Sequence, residues 1–397
     1  MQEPLYDRIP VIDIDSHVTE PPDVWTSRVD PRWGAGIPHV ETIRGRNTWV
    51  ADGGRYTYDP GSNCLAGYDG TLPGPASYEE MMPAAWQPDA RLRLLDELGI
   101  HAQVLYPNVG GFGAGFWVRM SDRELALACV RAYNDFITEF ASADPRRLLP
   151  ITSLPFWDVE ASVAEVERCV KKGHRGLNFC TAPQDFGLPP IFHRHWDPIY
   201  ARAEEAGVPV NFHIGGGDIL GQFRDVPEGM STLGNAARVS AMLFMDNARC
   251  IADLIMGGVC QRFPRLNLVS VESGAGYLPF LLEALDWQFE NLGADRDTGF
   301  DRLPSEYFRR QIHGSFWFER GAMSAALDAF ADNLMLETDI PHIVCQYPGT
   351  SAPKAVGPRR YAEEVLGALP AQVQRKVLFE NAARLYGVAD PAAAAAR

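Results

Sequence analysis

No stretch of this 397-residue chain approaches the roughly 18 unbroken apolar residues that a membrane-spanning helix needs. A helical integral membrane protein is therefore excluded, and no membrane partner is expected. The opening MQEPLYDRIP lacks the basic start and apolar run of a secretory leader, so a cytoplasmic location is expected. Paired cysteines are missing too. Cys64, Cys129, Cys169, Cys180, Cys250, Cys260 and Cys345 are scattered and form no C-x-x-C. That pattern excludes a zinc ribbon or a disulfide framework and suits a reducing compartment. Positive charge is short: 36 Lys and Arg face 51 Asp and Glu, for a net charge of -15 and a pI near 5.1. Such a surface repels a phosphate backbone, which removes nucleic acid from the expected partners. There is also no internal repeat, and no linker long enough to divide the chain.

Apolar residues make up 46% of the chain, enough for a large core. Short apolar runs expected as strands fall at 11–14, 101–107, 148–154, 175–179, 208–213, 267–272, 314–318 and 333–338. Between them, segments 121–143, 159–172, 197–206, 236–262, 278–291 and 321–331 carry apolar residues at helical spacing, such as Val163, Val166 and Val170. Repeated strand-then-helix units point to an α/β fold, a distorted (β/α)8 barrel. One domain is expected over 1–390, with a Pro-, Gly- and aromatic-rich insertion at about 20–88 roofing the barrel mouth, and a disordered tail at 391–397. Inside the insertion, WVADGGRY (49–56) reads as a hairpin around an Asp-Gly turn.

In a barrel, the C-terminal ends of the strands converge on one pocket. The first strand ends in Asp15-Ser-His17, where alternation turns both side chains to one side. The fifth ends in His213 before Gly215-Gly-Gly217, the sixth in Glu272, and the eighth in Glu337-Thr-Asp339 followed by His342. Together these groups offer a mixed nitrogen and oxygen site for one divalent ion such as Zn, Mn, Fe or Co, with donors enough for two. Asp13 lies two residues deeper than Asp15 and is expected to be a structural acid behind the site.

Other features have quieter readings. His174 and His313 open strands, at the wrong end of the barrel for chemistry, and His193 with His195 reads as a cap. GGFGAG (110–115) follows a strand but does not fit G-x-G-x-x-G, so it reads as a pocket-edge loop. Arg44, Arg46 and Arg55 in the insertion are candidates to clamp a substrate carboxylate. Trp117 and Trp157 suit either the pocket lining or the core.

The residues Asp13-Ile-Asp15-Ser-His17, Val210-Asn-Phe-His213, Glu272-Ser-Gly-Ala-Gly-Tyr-Leu-Pro279, Glu337-Thr-Asp339-Ile-Pro-His342 and Phe379-Glu-Asn-Ala-Ala-Arg-Leu-Tyr-Gly387 span nearly the whole chain. In them the chain resembles the amidohydrolase superfamily, in the branch that includes aminocarboxymuconate semialdehyde and aromatic-acid decarboxylases. The resemblance implies Asp15, His17 and His213 as metal ligands. It makes Asp339 a ligand that also shuttles a proton. Two departures stand out. The first motif is Asp-x-His where relatives often carry His-x-His or Glu-x-His, and Glu272 stands where they carry an acid/base histidine. A glutamate there adds a hard anionic ligand, so metal (Asp15, His17, His213, Glu272, Asp339) and catalytic (Asp339, Glu272, His342) roles overlap. The implied activity is a metal-dependent lyase or hydrolase acting on a small carboxylated or amide-bearing molecule. The alternatives are a dinuclear, iron-containing O2-dependent monooxygenase on the same fold, or a metal-bearing subunit supporting a paralogous catalytic chain. Homo-oligomers are expected, or hetero-oligomers with that paralogue.

Overall fold

The computed structural model describes residues 3–349 and 352–392. The chain starts the barrel with β1 (Val11–Val18), buried along its whole length. Three strands of the insertion follow: β2 (His39–Ile43), β3 (Arg46–Ala51) and β4 (Tyr56–Tyr58). The barrel resumes with β5 (Ile100–Pro107), β6 (Leu148–Pro150), β7 (Thr152–Ser153), β8 (Leu177–Asn178), β9 (Val210–His213), β10 (Leu268–Val271), β11 (Ile312–Phe316) and β12 (Leu334–Leu336). All barrel pairs are parallel, in the orders β1-β5-β6 and β7-β8-β9-β10-β11-β12. β6 and β7 are one barrel strand interrupted at Ile151, next to Pro150, which has no N–H to give to a neighbour. The ring closes where the segment after β12 meets β1. There His17 N donates to Ile340 O at 2.8 Å and Asp339 N to Asp15 O at 3.0 Å. The architecture is a (β/α)8 barrel.

Helices wrap the strands as their periodicity predicts. Arg123–Ala141 buries Leu125, Cys129, Tyr133, Ile137 and Phe140 along one stripe, and Asp122 caps it by accepting Leu125 N. Val159–Lys171 is capped in the same way by Asp158. The helix expected at 236–262 begins earlier, at Thr232, because Ser231 supplies the cap. It stops at Met256, where Gly257-Gly258 breaks the run before the short turn Val259–Arg262. Leu278–Leu292 ends at Gly293, whose φ of 63° suits a residue without Cβ.

The insertion forms an antiparallel three-stranded sheet. The expected hairpin is present, with Trp49 opposite Tyr58 and Ala51 opposite Tyr56 around a turn at Asp52–Gly54. β2, which pairs with the other edge of β3, was not foreseen, because its exposed HVETI has too little apolar alternation to read as a strand. Trp49 is buried against Trp25 at 4.7 Å between ring centres, and Trp25 packs on Trp117 at 5.2 Å. These rings belong to the same hydrophobic cluster as the barrel core, so Trp117 is a core residue. Arg46 is spent inside the insertion: it donates to Asp59 Oδ2 at 2.6 Å and to the carbonyls of Pro73, Gly74 and Pro75. Arg55 is exposed beside Asp52, and Arg44 occupies an exposed turn. Of the tail expected at 391–397, residues 393–397 lie outside the described residues.

His174, His193 and His313 keep structural surroundings. The ring of His174 lies between Thr138 Oγ1 (2.8 Å) and Thr152 Oγ1 (3.0 Å), and His193 accepts the N–H of His195 at 3.1 Å. His313 is buried at the start of β11.

Candidate metal centre

The strand ends bring the expected side chains together. Asp15, His17, His213 and Glu272 offer donor atoms within 4.8 Å of one another, and so do His17, Glu272, Asp339 and His342. The two sets share His17 and Glu272, so they describe one pocket. All six residues are buried, Glu272 and His342 at 7% exposure and the others at 0%.

Each element contributes in its own way. The pairing of β1 with β5 slips between Asp13 and Ser16, an irregularity that re-aims the end of the strand. Asp13 sits behind the pocket and is fully hydrogen-bonded. It accepts from Thr338 N (2.9 Å), Thr338 Oγ1 (2.6 Å), Gln103 Nε2 (2.7 Å) and Asp15 N (3.2 Å). Burial still pushes its carboxyl up to about 7, against the pull of these donors. At the ends of β10 and β12, Glu272 and Asp339 have φ of 55° and 58°, left-handed values that strain a residue with a side chain. Strain of this kind costs on the order of 1–3 kcal/mol per residue and gathers at functional sites.

The hydrogen bonds of the histidines fix which ring nitrogen faces the pocket. His17 Nδ1 lies 2.9 Å from Pro107 O, and His213 Nδ1 lies 2.8 Å from Ile214 O. A carbonyl accepts only, so Nδ1 carries the hydrogen in both rings and Nε2 presents a lone pair whenever the ring is neutral. Burial keeps His17 neutral, while for His213 the Asp15 charge outweighs burial and raises the ring. Those two Nε2 atoms are 3.2 Å apart. Around them stand Asp15 Oδ1 (3.5 Å from His17), Asp15 Oδ2 (3.4 Å from His213), Asp339 Oδ1 (3.5 Å from His17) and Glu272 Oε2 (3.4 Å from His213). Both Asp15 oxygens and Asp339 Oδ2 have no hydrogen-bond donor. Lone pairs facing lone pairs in a buried pocket repel unless a cation lies between them. The donor set therefore fits a divalent ion held by carboxylate oxygen and imidazole nitrogen.

The charge balance points the same way. Burial drives the Asp339 carboxyl well above the usual range, and the nearby Glu272 and Asp15 charges add to the effect. Burial also lifts Glu272 to about 8, with Asp15 raising and His213 opposing. His342 is held down to about 3 by burial, then by His213. No Lys or Arg pairs with these acids among the described residues.

Four contributors escaped the sequence reading. Arg91 is fully buried, donating to His17 O (2.6 Å), Ala84 O (2.6 Å), Gln103 Oε1 (3.1 Å) and Ser16 Oγ (3.3 Å). In sequence it looks like a solvent-facing helix residue. Glu20 is buried, accepts the N–H groups of Asn108 and Val109, and is raised by burial to about 7. Asn108 bridges Thr19 and His342: its Nδ2 donates to Thr19 Oγ1 at 3.1 Å, and its Oδ1 lies 2.8 Å from His342 Nε2. The other His342 nitrogen is 2.6 Å from Asp339 Oδ1. Phe112, from the glycine-rich 110–115 loop, packs over His213, His17 and His342 with ring centres 4.6, 4.9 and 5.3 Å away. Only the glycines around it hinted at a loop able to come so close. Trp157 lines a separate open cleft of about 560 Å³ with Val118, Arg123 and Phe186.

The chain matches the family model described as amidohydrolase over residues 12–388. It is 27% identical over 269 residues to the 2-amino-3-carboxymuconate-6-semialdehyde decarboxylase of Dictyostelium discoideum, which covers 66% of this chain and 67% of that protein. An amidohydrolase of Mycobacterium avium subsp. paratuberculosis K-10 shares the fold with a TM-score of 0.73 at 23% identity, covering 96% of this chain and 99% of that one. A dihydroxybenzoic acid decarboxylase from Polaromonas sp. JS666, with bound manganese and the inhibitor 2-nitroresorcinol, gives a TM-score of 0.57 at 20% identity, covering 76% and 86%.

Proposed function

Because this chain belongs to the amidohydrolase family, matched from residue 12 to residue 388, we propose that it is a metal-dependent carboxy-lyase for a small carboxylated aromatic or unsaturated acid. The observation that carries this reading is the convergence of two imidazole Nε2 atoms with both Asp15 oxygens and Asp339 Oδ2 in a buried pocket. In this reading Asp15, His17, His213, Glu272 and Asp339 hold a divalent ion, residues 1–390 act as one unit, and the 20–88 segment is its roof. The named activity of the Dictyostelium relative supports decarboxylation over hydrolysis, and the Polaromonas structure supports a manganese-type ion.

When bound, the ion supplies positive charge for the substrate carboxylate and its neighbouring oxygen. Loss of CO2 breaks a carbon–carbon bond and leaves an electron pair on the substrate carbon, which a proton must meet. Asp339 is the proton donor in this reading. Its carboxyl is pushed toward the protonated form, and the neutral His342 ring, 2.6 Å away, accepts its hydrogen bond and orients it, while solvent resupplies the proton after product leaves. Asn108 sets the ring of His342 from the far side. Glu272 occupies the facing side of the pocket and orients the substrate by its carboxyl. Phe112 and Tyr106 pack against the histidines and keep water out.

The test combines elemental analysis with CO2 release from a panel of hydroxybenzoates and muconate-type acids. One divalent ion per chain and CO2 release are expected, and His17→Ala and His213→Ala should each lose most of the metal while keeping the wild-type circular dichroism. Full metal content in both variants sinks the ligand assignment. Two ions including iron with substrate-coupled oxygen uptake, or hydrolysis without CO2, replaces the reaction.

A further inference from the structure

Glu337 is a buried acid that neither the metal set nor the proton relay uses. It stands in β12's extension, two residues before Asp339, at 0% exposure. Its Oε2 accepts the backbone N–H of Glu272 at 3.0 Å. Beside its carboxyl lies the Ser315 hydroxyl, which Ser270 O shares as an acceptor at 3.2 Å. The recipient of the bond is not ordinary backbone. Glu272 is the residue held at φ 55°, a conformation that a side chain disfavours and that a neighbouring contact must sustain.

The connection has a geometric consequence. β10 ends at Val271, so the Glu272 N–H lies just past the regular ladder with β9 and β11. Glu337 takes up that donor from the end of β12, two strands away across β11 and 65 residues along the chain. The bond fixes the peptide plane from which the Glu272 side chain departs, and the carboxylate then reaches 3.4 Å from His213 Nε2. Without the acceptor, the left-handed turn has no partner on that side and can relax toward extended backbone, which swings the carboxylate off the donor cluster.

We propose that Glu337 is a positioning residue: by accepting the Glu272 N–H it holds the strained turn that aims the Glu272 carboxylate at the metal donors. This inference rests on the metal reading given above. Groups that orient metal ligands typically change affinity about 10–100-fold when removed. A charge effect and a positioning effect part company on substitution. Glu337→Gln keeps a carbonyl oxygen able to accept the N–H but carries no charge, whereas Glu337→Leu keeps bulk and accepts nothing.

The experiment measures Mn(II) and Co(II) dissociation constants and the visible absorption of the Co(II) form for the purified chain and its variants. Glu337→Leu should bind metal about 10–100-fold more weakly with an altered Co(II) spectrum, while Glu337→Gln stays within about threefold of the parent with an unchanged spectrum. In a Glu272→Ala background, Glu337→Leu should cost nothing further, because its route to the metal is gone. Equal weakening by Leu and Gln, or an undiminished cost in the Glu272→Ala background, overturns the proposal, as does parent-like binding by Glu337→Leu. Glu337→Met gives the same comparison if the leucine variant does not fold. A parent chain that binds neither ion refutes the metal reading itself, a failure distinct from insensitivity of the variants.

Discussion

Replacing Asp15 by Asn should raise stability without metal and lower the benefit of adding it. In the metal-free chain both Asp15 oxygens are buried, and their nearest side-chain partners are His213 Nε2 and His17 Nε2 at 3.4–3.5 Å, too far for a strong bond although, against burial, the Asp15 charge raises the His213 imidazole. Burial raises the carboxyl, and His213 only partly offsets that. An asparagine of the same shape has no charge and can give an N–H to a bare imidazole nitrogen. Relief of one unsatisfied buried group is worth about 1–3 kcal/mol. Unfolding 397 residues carries an entropy of ~0.8 kcal/mol per kelvin at the midpoint, so this corresponds to a Tm rise of about 1–4 °C. With free metal at about 100 times Kd, the parent gains about 2.7 kcal/mol, or roughly 3 °C. On the proposed ligand set, Asp15→Asn gives up an anionic donor. If affinity falls tenfold, its metal-induced gain shrinks by about 1.4 kcal/mol, or roughly 2 °C. Calorimetry of both proteins, in chelator and then in excess Mn(II), reads both shifts. A lower Tm for Asp15→Asn in chelator, or equal metal-induced rises in the two proteins, refutes the reasoning.

Two further outcomes are expected. Burial holds His174 down to about 4 from its ordinary 6.5, so the unfolded chain takes a proton that the folded chain refuses. Its contribution is complete above pH 6.5 and is lost as pH falls toward 4, about 3 kcal/mol over the window; urea midpoints should fall less steeply with acid in His174→Asn, and parallel slopes count against the assignment. Phe112→Ala should speed chelator-driven metal loss on the order of tenfold by uncovering the imidazoles, and an unchanged rate would show that the ring does not guard the site.

Much of this architecture was legible because barrel strands announce themselves as apolar runs ended by polar residues. Asp15, His17, His213, Glu272 and Asp339 stand where an apolar strand gives way, at the end of the barrel where strand ends converge. Asp13 was legible in the same way, as an acid too deep to face the mouth. Several strands were shorter than the runs suggested, while β1 ran on to Val18. β8 keeps only Leu177–Asn178, because its neighbours β7 and β9 offer little length to pair with. What stayed hidden depends on distant partners. Arg91 sits in a helix of ordinary amphipathic pattern, and only the carbonyls of His17 and Ala84 with Gln103 reveal that it points inward. Phe112 is one aromatic among glycines until the loop folds over the imidazoles. Arg46, one of the candidate clamps, is taken up for the opposite reason: it found local carbonyls first.

The seam that closes the barrel also sets when the site can exist. Asp13 on the first strand takes two hydrogen bonds from Thr338, 325 residues later, and Asp15 faces Asp339 across the same junction. During synthesis Asp15 and His17 leave the ribosome more than 300 residues before Asp339 and His342. Over that interval the nascent chain lacks the donors that close the pocket. Ion capture is tied to completion of the ring, so loading reports that the last strand has docked. The same junction makes the earliest strand wait for its final neighbour, which places the slow, long-range step of folding and the appearance of the metal pocket in a single event.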